Sequence, residues 1–155
     1  MTETLGIKYH PFMVAMDNEA VRVFQDAALG DLGQIRQYVR ETAVSFGCAP
    51  AAADELVVAV NEAAANIIRH GFKHEPGAIQ ITVVCGADTV KVLLHDHAPG
   101  FDPTTLSNPD TTLALEERPF GGMGVYMMRT FCDGLSYCRN SQGENELTLL
   151  KRMSR

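Results

Sequence analysis

The sequence lacks a long apolar run, and its amino terminus, "MTETLGIKYH", lacks a basic region followed by an apolar core. A membrane-spanning helix needs about 18 or more consecutive apolar residues, and a secretion signal needs the basic and apolar regions together. We therefore expect a cytoplasmic protein that does not engage a membrane.

A block of basic residues that could follow a phosphate backbone is also missing. Thirteen lysines and arginines stand against 19 aspartates and glutamates, which gives a formal charge of −6. Because nucleic-acid binding depends on clustered basic side chains, a direct nucleic-acid partner is not expected. The composition, 21% charged and 46% hydrophobic, is typical of a globular protein and not of a disordered chain.

The four cysteines, Cys48, Cys85, Cys132 and Cys138, form no CxxC pair. Without a secretion signal there is little reason for disulfides, so we expect reduced and mostly buried thiols. Internal repeats, low-complexity segments and Pro/Gly/Ser-rich linkers are absent as well. We expect residues 1–155 to form a single domain, since that length is usual for one domain.

The spacing of apolar residues predicts the order strand, two helices, hairpin, long loop, helix, hairpin. The segments are an edge strand at 19–28, helices at 31–47, 50–70 and 121–134, and strands at 78–84, 90–96, 135–140 and 146–152. Runs of antiparallel strands with helices grouped between them favour an α+β fold. We expect a two-layer sandwich in which a mixed, mostly antiparallel sheet packs on about three helices.

The helix "VAVNEAAANIIRHG" carries Glu62 and Asn66 one turn apart among apolar residues, so both side chains project from one face. Leaving such groups buried without partners costs about 1–3 kcal/mol for an amide and more for a carboxylate. Either neighbouring backbone groups satisfy this pair, or a ligand does.

The stretch "LLHDHAPGFDP" ends the strand at 90–96, and its alternation aims Asp96 toward the apolar face. A strand end followed by a Pro-Gly turn explains Pro99 and Gly100 but leaves the inward carboxylate unexplained. A buried carboxylate at the end of a strand is suited to recognising an amino group that donates hydrogen bonds.

The stretch "RPFGGMGVYMMR" places Gly121, Gly122 and Gly124 at the start of a helix. Glycines there allow close approach of a phosphate to backbone N–H groups at the positive end of the helix dipole. A tight turn is the commoner meaning of such glycines. No Gly-Lys-Ser/Thr follows, so the stretch is not a P-loop.

In this order and spacing, the three stretches resemble the ATP-binding motifs of the GHKL ATPase superfamily from about residue 30 onward. "NEAAANIIRHG" resembles the N box, "DHAPGFDP" the first glycine box and "GGMGVYMMR" the second. Within that superfamily, "PGFDP" and "GGMGVYMM" are most similar to the small anti-sigma-factor serine kinases of bacteria.

The resemblance implies ATP and Mg²⁺ as cofactors and gives each polar residue a role. Asn66 would bind the Mg²⁺ that bridges the ATP phosphates, an appropriate task for an oxygen ligand. Glu62 would be the general base that takes the proton from the attacking serine hydroxyl. Asp96 would accept a hydrogen bond from the adenine amino group, and Gly100 would leave room for the base.

The glycines Gly121, Gly122 and Gly124 would surround the phosphates, with the last two donating amide hydrogens. Arg118, three residues before Gly121, is placed to neutralise charge during transfer, or else is a solvated loop residue paired with a neighbouring glutamate. By analogy with related folds, Thr148 on the last strand is expected to support the adenine-binding aspartate.

One position departs from the superfamily pattern, which usually has a glycine two residues after the aspartate. Here that position is Ala98. Its methyl group is expected to crowd the adenine pocket or to oppose a positive φ, and so to weaken ATP binding without abolishing it.

The resemblance implies a serine-protein kinase that sequesters a sigma factor and phosphorylates a serine of an anti-anti-sigma antagonist, as a homodimer. One alternative is a regulatory module that binds ATP or a partner protein without phosphotransfer. The catalytic part of a histidine kinase is disfavoured, because the 60 residues before the N box contain only His10. A metal site built on His70, His74, His95 and His97 is a remote alternative, since their spacing suggests no third ligand.

Overall fold

The structure, a computed structural model, describes residues 18–117 and 122–153. The described chain contains five strands and three α-helices. Their bounds are β1 Asn18–Phe24, α1 Leu32–Ser45, α2 Pro50–Asn66, β2 Ile79–Cys85, β3 Thr89–Asp96, α3 Met123–Phe131, β4 Gly134–Arg139 and β5 Asn145–Arg152. Each element overlaps a segment for which the sequence predicts that type of element, with ends that differ by a few residues.

The strands form one sheet in the order β1-β2-β3-β5-β4, with β1 at an edge as predicted. The α+β sandwich is therefore confirmed. The predicted mixture of parallel and antiparallel strand pairs is not confirmed, because every pairing between described strands is antiparallel. Since β3 pairs with β5, the end of β3 lies beside the start of β5, and Asp96 is directly opposite Asn145.

The core lies between the sheet and the helices. In β3, Val90, Val92 and Leu94 point into it with 0% exposure, and Asp96 follows with the same parity at 5% exposure. Helix α2 has a wide buried stripe, as its mostly apolar sequence predicts. The stripe consists of Ala53, Leu56, Ala59, Val60, Ala63, Ala64 and Ala65. The inward carboxylate predicted at the end of β3 is confirmed.

Helix α2 changes its hydrogen-bond pattern directly after Asn66. Residues Ile67–Gly71 form a turn of π-helix, in which the N–H of Phe72 donates to the Ile67 carbonyl over 2.7 Å. The predicted helix to about residue 70 is thus present, but its last turn is wider than an α-turn. Short π-helical turns occur often at functional sites, and this one follows Asn66 directly and ends at Gly71.

All four cysteines are free thiols, as predicted. Cys48, Cys85 and Cys132 are buried, and Cys138 is exposed. Burial raises the pKa of Cys132 to about 12 and also raises the pKa of Cys48. Because the thiolate is the reactive form, these two buried cysteines are inert at neutral pH.

In the two described ranges, no helix combines the length and the apolar character that crossing a membrane requires.

Candidate functional site

The Glu62 and Asn66 side chains lie on the flank of α2 that faces the start of α3. A Cβ built on Gly124 would lie 3.1 Å from Glu62 Oε2 and 3.3 Å from Asn66 Nδ2. Within the described chain, neither side chain makes a hydrogen bond or an ion pair. No described backbone group therefore satisfies this polar pair, and within that part of the chain its oxygens remain available to a ligand.

The pair is half-buried and not fully buried, which corrects the sequence interpretation. The reason is geometric: Ala63 and its neighbours along the inner stripe of α2 occupy the core, so Glu62 and Asn66 fall at the edge of that stripe. Partial exposure lowers the cost of the unpaired carboxylate and leaves it open to the space beside α3.

Helix α3 begins at a glycine turn. Gly122 has φ 85°, in the left-handed region that favours glycine, and its carbonyl accepts from the Tyr126 N–H over 2.9 Å. The first N–H groups of a helix have no acceptor within it. Those of α3 lie beside Gly124 and therefore near the polar pair. Arg118 and Gly121 lie outside the described residues, so their predicted roles stay predictions.

Gly124→Ala is expected to weaken ATP binding at least tenfold, because the new methyl group would occupy the narrow space before Glu62 and Asn66. Isothermal titration with Mg-ATP measures this change. The control is Gly33→Ala, since Gly33 is likewise the second residue of its helix, α1, and the nearest atom to its added Cβ is 3.6 Å away. Both variants gain helix propensity. Equal ATP affinity in the two variants would contradict the proposed crowding.

Asp96 holds one carboxylate oxygen in place and leaves the other open. Its Oδ1 accepts hydrogen bonds from the Ala98 N–H and from Asn145 Nδ2, both over 2.9 Å. Its Oδ2 has no hydrogen-bond partner in the part of the chain that the structure describes. A carboxylate fixed in this way can accept one more hydrogen bond from a bound amino group.

Asn66 and Asp96 line the same pocket. Most of its lining is apolar, including Ile67, Met128 and Leu147. A concave site with apolar walls and a few polar groups is typical of small-molecule sites. The two sequence motifs, 30 residues apart, therefore converge on a single cavity.

The sequence raised the question whether Ala98 would have to adopt a positive φ. It does not, because Ala98 is not among the described residues with positive φ. Its methyl group packs against the π-turn, since a Cβ built on Gly71 would lie 2.9 Å from the Ala98 Cβ. Ala98 also lines the pocket, so the predicted crowding there stays a prediction. Gly100 does not line the pocket, and a Cβ built there would lie 2.7 Å from Arg139 Nη1. The absence of a side chain at Gly100 thus allows the Arg139 guanidinium to approach the backbone. The predicted role of Gly100 in leaving space for the adenine base stays a prediction.

The support for Asp96 comes from Asn145 and not from Thr148, which corrects the sequence interpretation. Thr148 pairs with Leu93 and lies on the other face of β5 from Asn145. Strand parity is the reason, since residues an odd number apart point to opposite faces. Asn145 was missed because it ends the polar stretch "SQGEN", which reads as a turn.

The histidines give no support to a metal site. His95 Nε2 lies 2.8 Å from Glu146 Oε2, and His97 Nε2 lies 3.7 Å from Glu144 Oε2. Among the described residues, no group of three or more His, Cys, Asp or Glu side chains could hold a metal ion. These histidines pair with glutamates on β5 or in the turn before it.

The long segment after β3 is tied to α3 over part of its length. Arg129 donates from Nη1 to Asn108 Oδ1 over 2.8 Å and from Nη2 to the Thr104 carbonyl over 2.9 Å. Asp102 caps the short helical turn Pro103–Thr105 by accepting from the Thr104 N–H. The predicted helical piece near "LALEE" is a single 3₁₀ turn, Leu115–Glu117.

Comparison with known proteins places this geometry in a family. The model of the histidine kinase-like ATPase domain matches residues 26–151. The serine/threonine-protein kinase BtrW of Bordetella bronchiseptica is 35% identical over 95 residues, which are 61% of this chain and 66% of that protein. The serine-protein kinase RsbW of Bacillus mycoides is 27% identical over 86 residues, 53% of this chain and 54% of RsbW.

The chain thus aligns with about two thirds of BtrW and about half of RsbW. The crystal structure of the RsbU and RsbW domains of Rv1364c from Mycobacterium tuberculosis superposes with a TM-score of 0.59. It covers 87% of this chain and 33% of that chain at 19% identity, so it supports the fold alone. The match over residues 26–151, with the polar pair, the inward aspartate and the glycine turn in place, confirms the predicted resemblance: this chain belongs to the histidine kinase-like ATPase domain family and is similar to its serine-protein kinase members.

Proposed function

We propose that this protein binds Mg-ATP in the pocket between α2, α3 and the end of β3 and transfers the γ-phosphoryl group to a protein serine. One observation supports this most directly. Glu62 and Asn66 have no partners in the described chain, face the start of α3, and lie on the same side as the pocket that holds Asp96. The proposed adenine site at Asp96, the proposed phosphate site at Asn66 and the proposed catalytic carboxylate of Glu62 would thus lie next to one another.

The residues around Asn66 fit a magnesium ion. Its amide is half-buried, has no hydrogen-bond partner among the described residues and lines the pocket, and Gly124 has no side chain to cover it. Magnesium commonly takes few protein oxygens and completes its shell with phosphate oxygens and water. When bound, the ion would supply positive charge beside the phosphates. Asn66 Oδ1 is the ligand that this chain would provide.

Glu62 would act as the general base. An acceptor serine that enters the space before α3 would give its hydroxyl proton to the Glu62 carboxylate. As the new serine O–P bond forms, the bond to the β-phosphate oxygen breaks and ADP leaves. The N–H groups at the start of α3 would stabilise the phosphate charge. Asp96 Oδ2 would hold the adenine amino group at the other end of the pocket.

The protein is further proposed to act as an anti-sigma factor, with a sigma factor and an anti-anti-sigma protein as its partners and with a homodimer as its working form. Support comes from the serine-protein kinase names of its relatives and from the motif resemblance. The acceptor would be a serine of the anti-anti-sigma protein, whose phosphorylation changes which partner is held.

A thermal-shift titration of the full chain with ATP, ADP and GTP, with and without Mg²⁺, tests the nucleotide site. ATP at 100 times its Kd is expected to add about 2.7 kcal/mol of stability, and GTP much less. Incubation with labelled ATP and anti-anti-sigma proteins that carry an acceptor serine then tests transfer. Absence of any adenine-nucleotide response would refute the proposal. Binding without transfer to any acceptor would favour the non-catalytic regulatory module.

A further inference from the structure

Asn145 is the centre of a buried hydrogen-bond network behind Asp96. The residue is 5% exposed and lines the pocket. Its Nδ2 donates to Asp96 Oδ1 over 2.9 Å and to the Ala98 carbonyl over 2.8 Å. Its Oδ1 accepts from the Tyr137 hydroxyl over 2.6 Å and from Arg139 Nη1 over 3.0 Å. The amide therefore uses both of its hydrogens and both of its lone pairs.

Chemistry fixes the orientation of this amide. A guanidinium can only donate, so the group that faces Arg139 must be the amide oxygen. An ionised carboxylate can only accept, so the group that faces Asp96 must be the NH₂. A flipped Asn145 would set donors against donors and acceptors against acceptors. The Arg139 guanidinium on β4 thus determines which way Asn145 presents itself to β3.

The same network fixes the loop that follows β3. The Ala98 carbonyl accepts from Asn145 Nδ2 and, over 3.0 Å, from Arg139 Nη1. The Ala98 N–H in turn donates to Asp96 Oδ1. With Oδ1 held by two donors, only Oδ2 remains for a ligand, and rotation of the carboxylate would break both bonds.

We propose that Asn145 is a positioning residue that sets the specificity of the pocket for the 6-amino group of adenine. It acts through Asp96, because its own polar atoms are all engaged within the protein. This inference rests on the proposed function, since it assumes that the pocket binds ATP. It predicts that loss of the Asn145 donors reduces the preference for a nucleotide with the 6-amino group more than it reduces the affinity for nucleoside triphosphates in general.

Asn145→Asp is the most selective test. The variant keeps the shape of the side chain and can still accept from Tyr137 and Arg139, but it replaces the two donors with an oxygen opposite Asp96. The measurement compares ATP with purine riboside triphosphate, which lacks the 6-amino group. The quantity is the Kd of the Mg²⁺ complex of this analogue divided by the Kd of Mg-ATP. In the unmodified chain ATP is expected to bind about tenfold or more tightly than the analogue. In Asn145→Asp the ratio is expected to fall below about threefold.

Asn140→Asp is the matched control. It adds the same charge on the same hairpin, where Asn140 Oδ1 accepts from the backbone N–H groups of Gln142 and Glu144. A carboxylate can accept both bonds, so the ratio should stay as in the unmodified chain. Asn145→Ala, which adds no charge, serves as a second variant. Thermal melts without ligand identify any variant that fails to fold.

The outcomes separate this inference from the proposed function. If the unmodified chain binds neither nucleotide, the proposed ATP site is wrong, and the role of Asn145 is wrong with it. If the unmodified chain discriminates and Asp96→Asn does not, while both Asn145 variants keep full discrimination, then the role of Asn145 alone is wrong. An equal loss of affinity for both nucleotides would show a structural role and would also overturn it.

Discussion

Replacement of Glu62 by glutamine is expected to reduce phosphotransfer by about 10²–10⁴-fold, the usual contribution of a general base. The amide has nearly the same shape but cannot accept the serine proton. Because Glu62 is not proposed to bind the nucleotide, the Kd for Mg-ATP should change by less than about threefold. Single-turnover transfer of labelled phosphate to the antagonist, together with isothermal titration, measures the two quantities separately.

Glu55→Gln is the control for this prediction. Glu55 lies on the same helix, is half-exposed at 49%, and binds Lys151 away from the pocket. Its replacement should leave transfer unchanged within about twofold, since an exposed ion pair contributes little. Normal phosphotransfer by the Glu62→Gln variant would show that Glu62 is not the general base. It would not contradict the proposed nucleotide-binding site.

Asp96→Asn is expected to reduce the thermal stabilisation by ATP strongly while the free protein melts near the normal temperature. Two donors, the Ala98 N–H and Asn145 Nδ2, require an oxygen at the Oδ1 position. The amide NH₂ of the new asparagine is therefore forced to the Oδ2 position, where it opposes the adenine amino group. Loss of a hydrogen bond to a charged group, about 1.5–3 kcal/mol, raises the Kd about tenfold to a hundredfold.

Asp133→Asn provides the comparison, because Asp133 accepts from the Arg152 N–H at the opposite end of β5 from Asn145. Its variant should respond to ATP as the unmodified chain does. Differential scanning fluorimetry over a range of ATP concentrations measures both variants. An Asp96→Asn protein with an unchanged ATP response would show that the base is recognised elsewhere.

The fold was predictable to a large extent because its signals are local. Alternation in β2 and β3 and helical spacing in α1 and α2 arise from the geometry of each element, so they are visible in the sequence. The strand alternation that points the Asp96 side chain inward is also a local signal. The structure confirms it, since Asp96 is 5% exposed. The absence of parallel pairs among the described strands could not be predicted in this way, since strand order depends on contacts between distant segments.

Parts of the site were predictable for the same reason, and other parts were not. The i, i+4 spacing of Glu62 and Asn66 is a property of any helix. Their partial exposure is not, because it depends on how α2 rotates against the sheet and against α3. The assignment of Thr148 failed because it rested on analogy with related folds, whereas the register of β3 and β5 sets Asn145 opposite Asp96.

The sequence by itself determined which chemical groups this protein has and on which face of each element they lie, because period and parity are set by neighbouring residues. Tertiary structure alone decided which groups meet. The pairing of β3 with β5 delivers the Asn145 amide to Asp96, and the packing of α3 on α2 places Gly124 before Glu62 and Asn66. Such contacts join residues many positions apart, and the interactions that fix their geometry exist only after the whole core has formed.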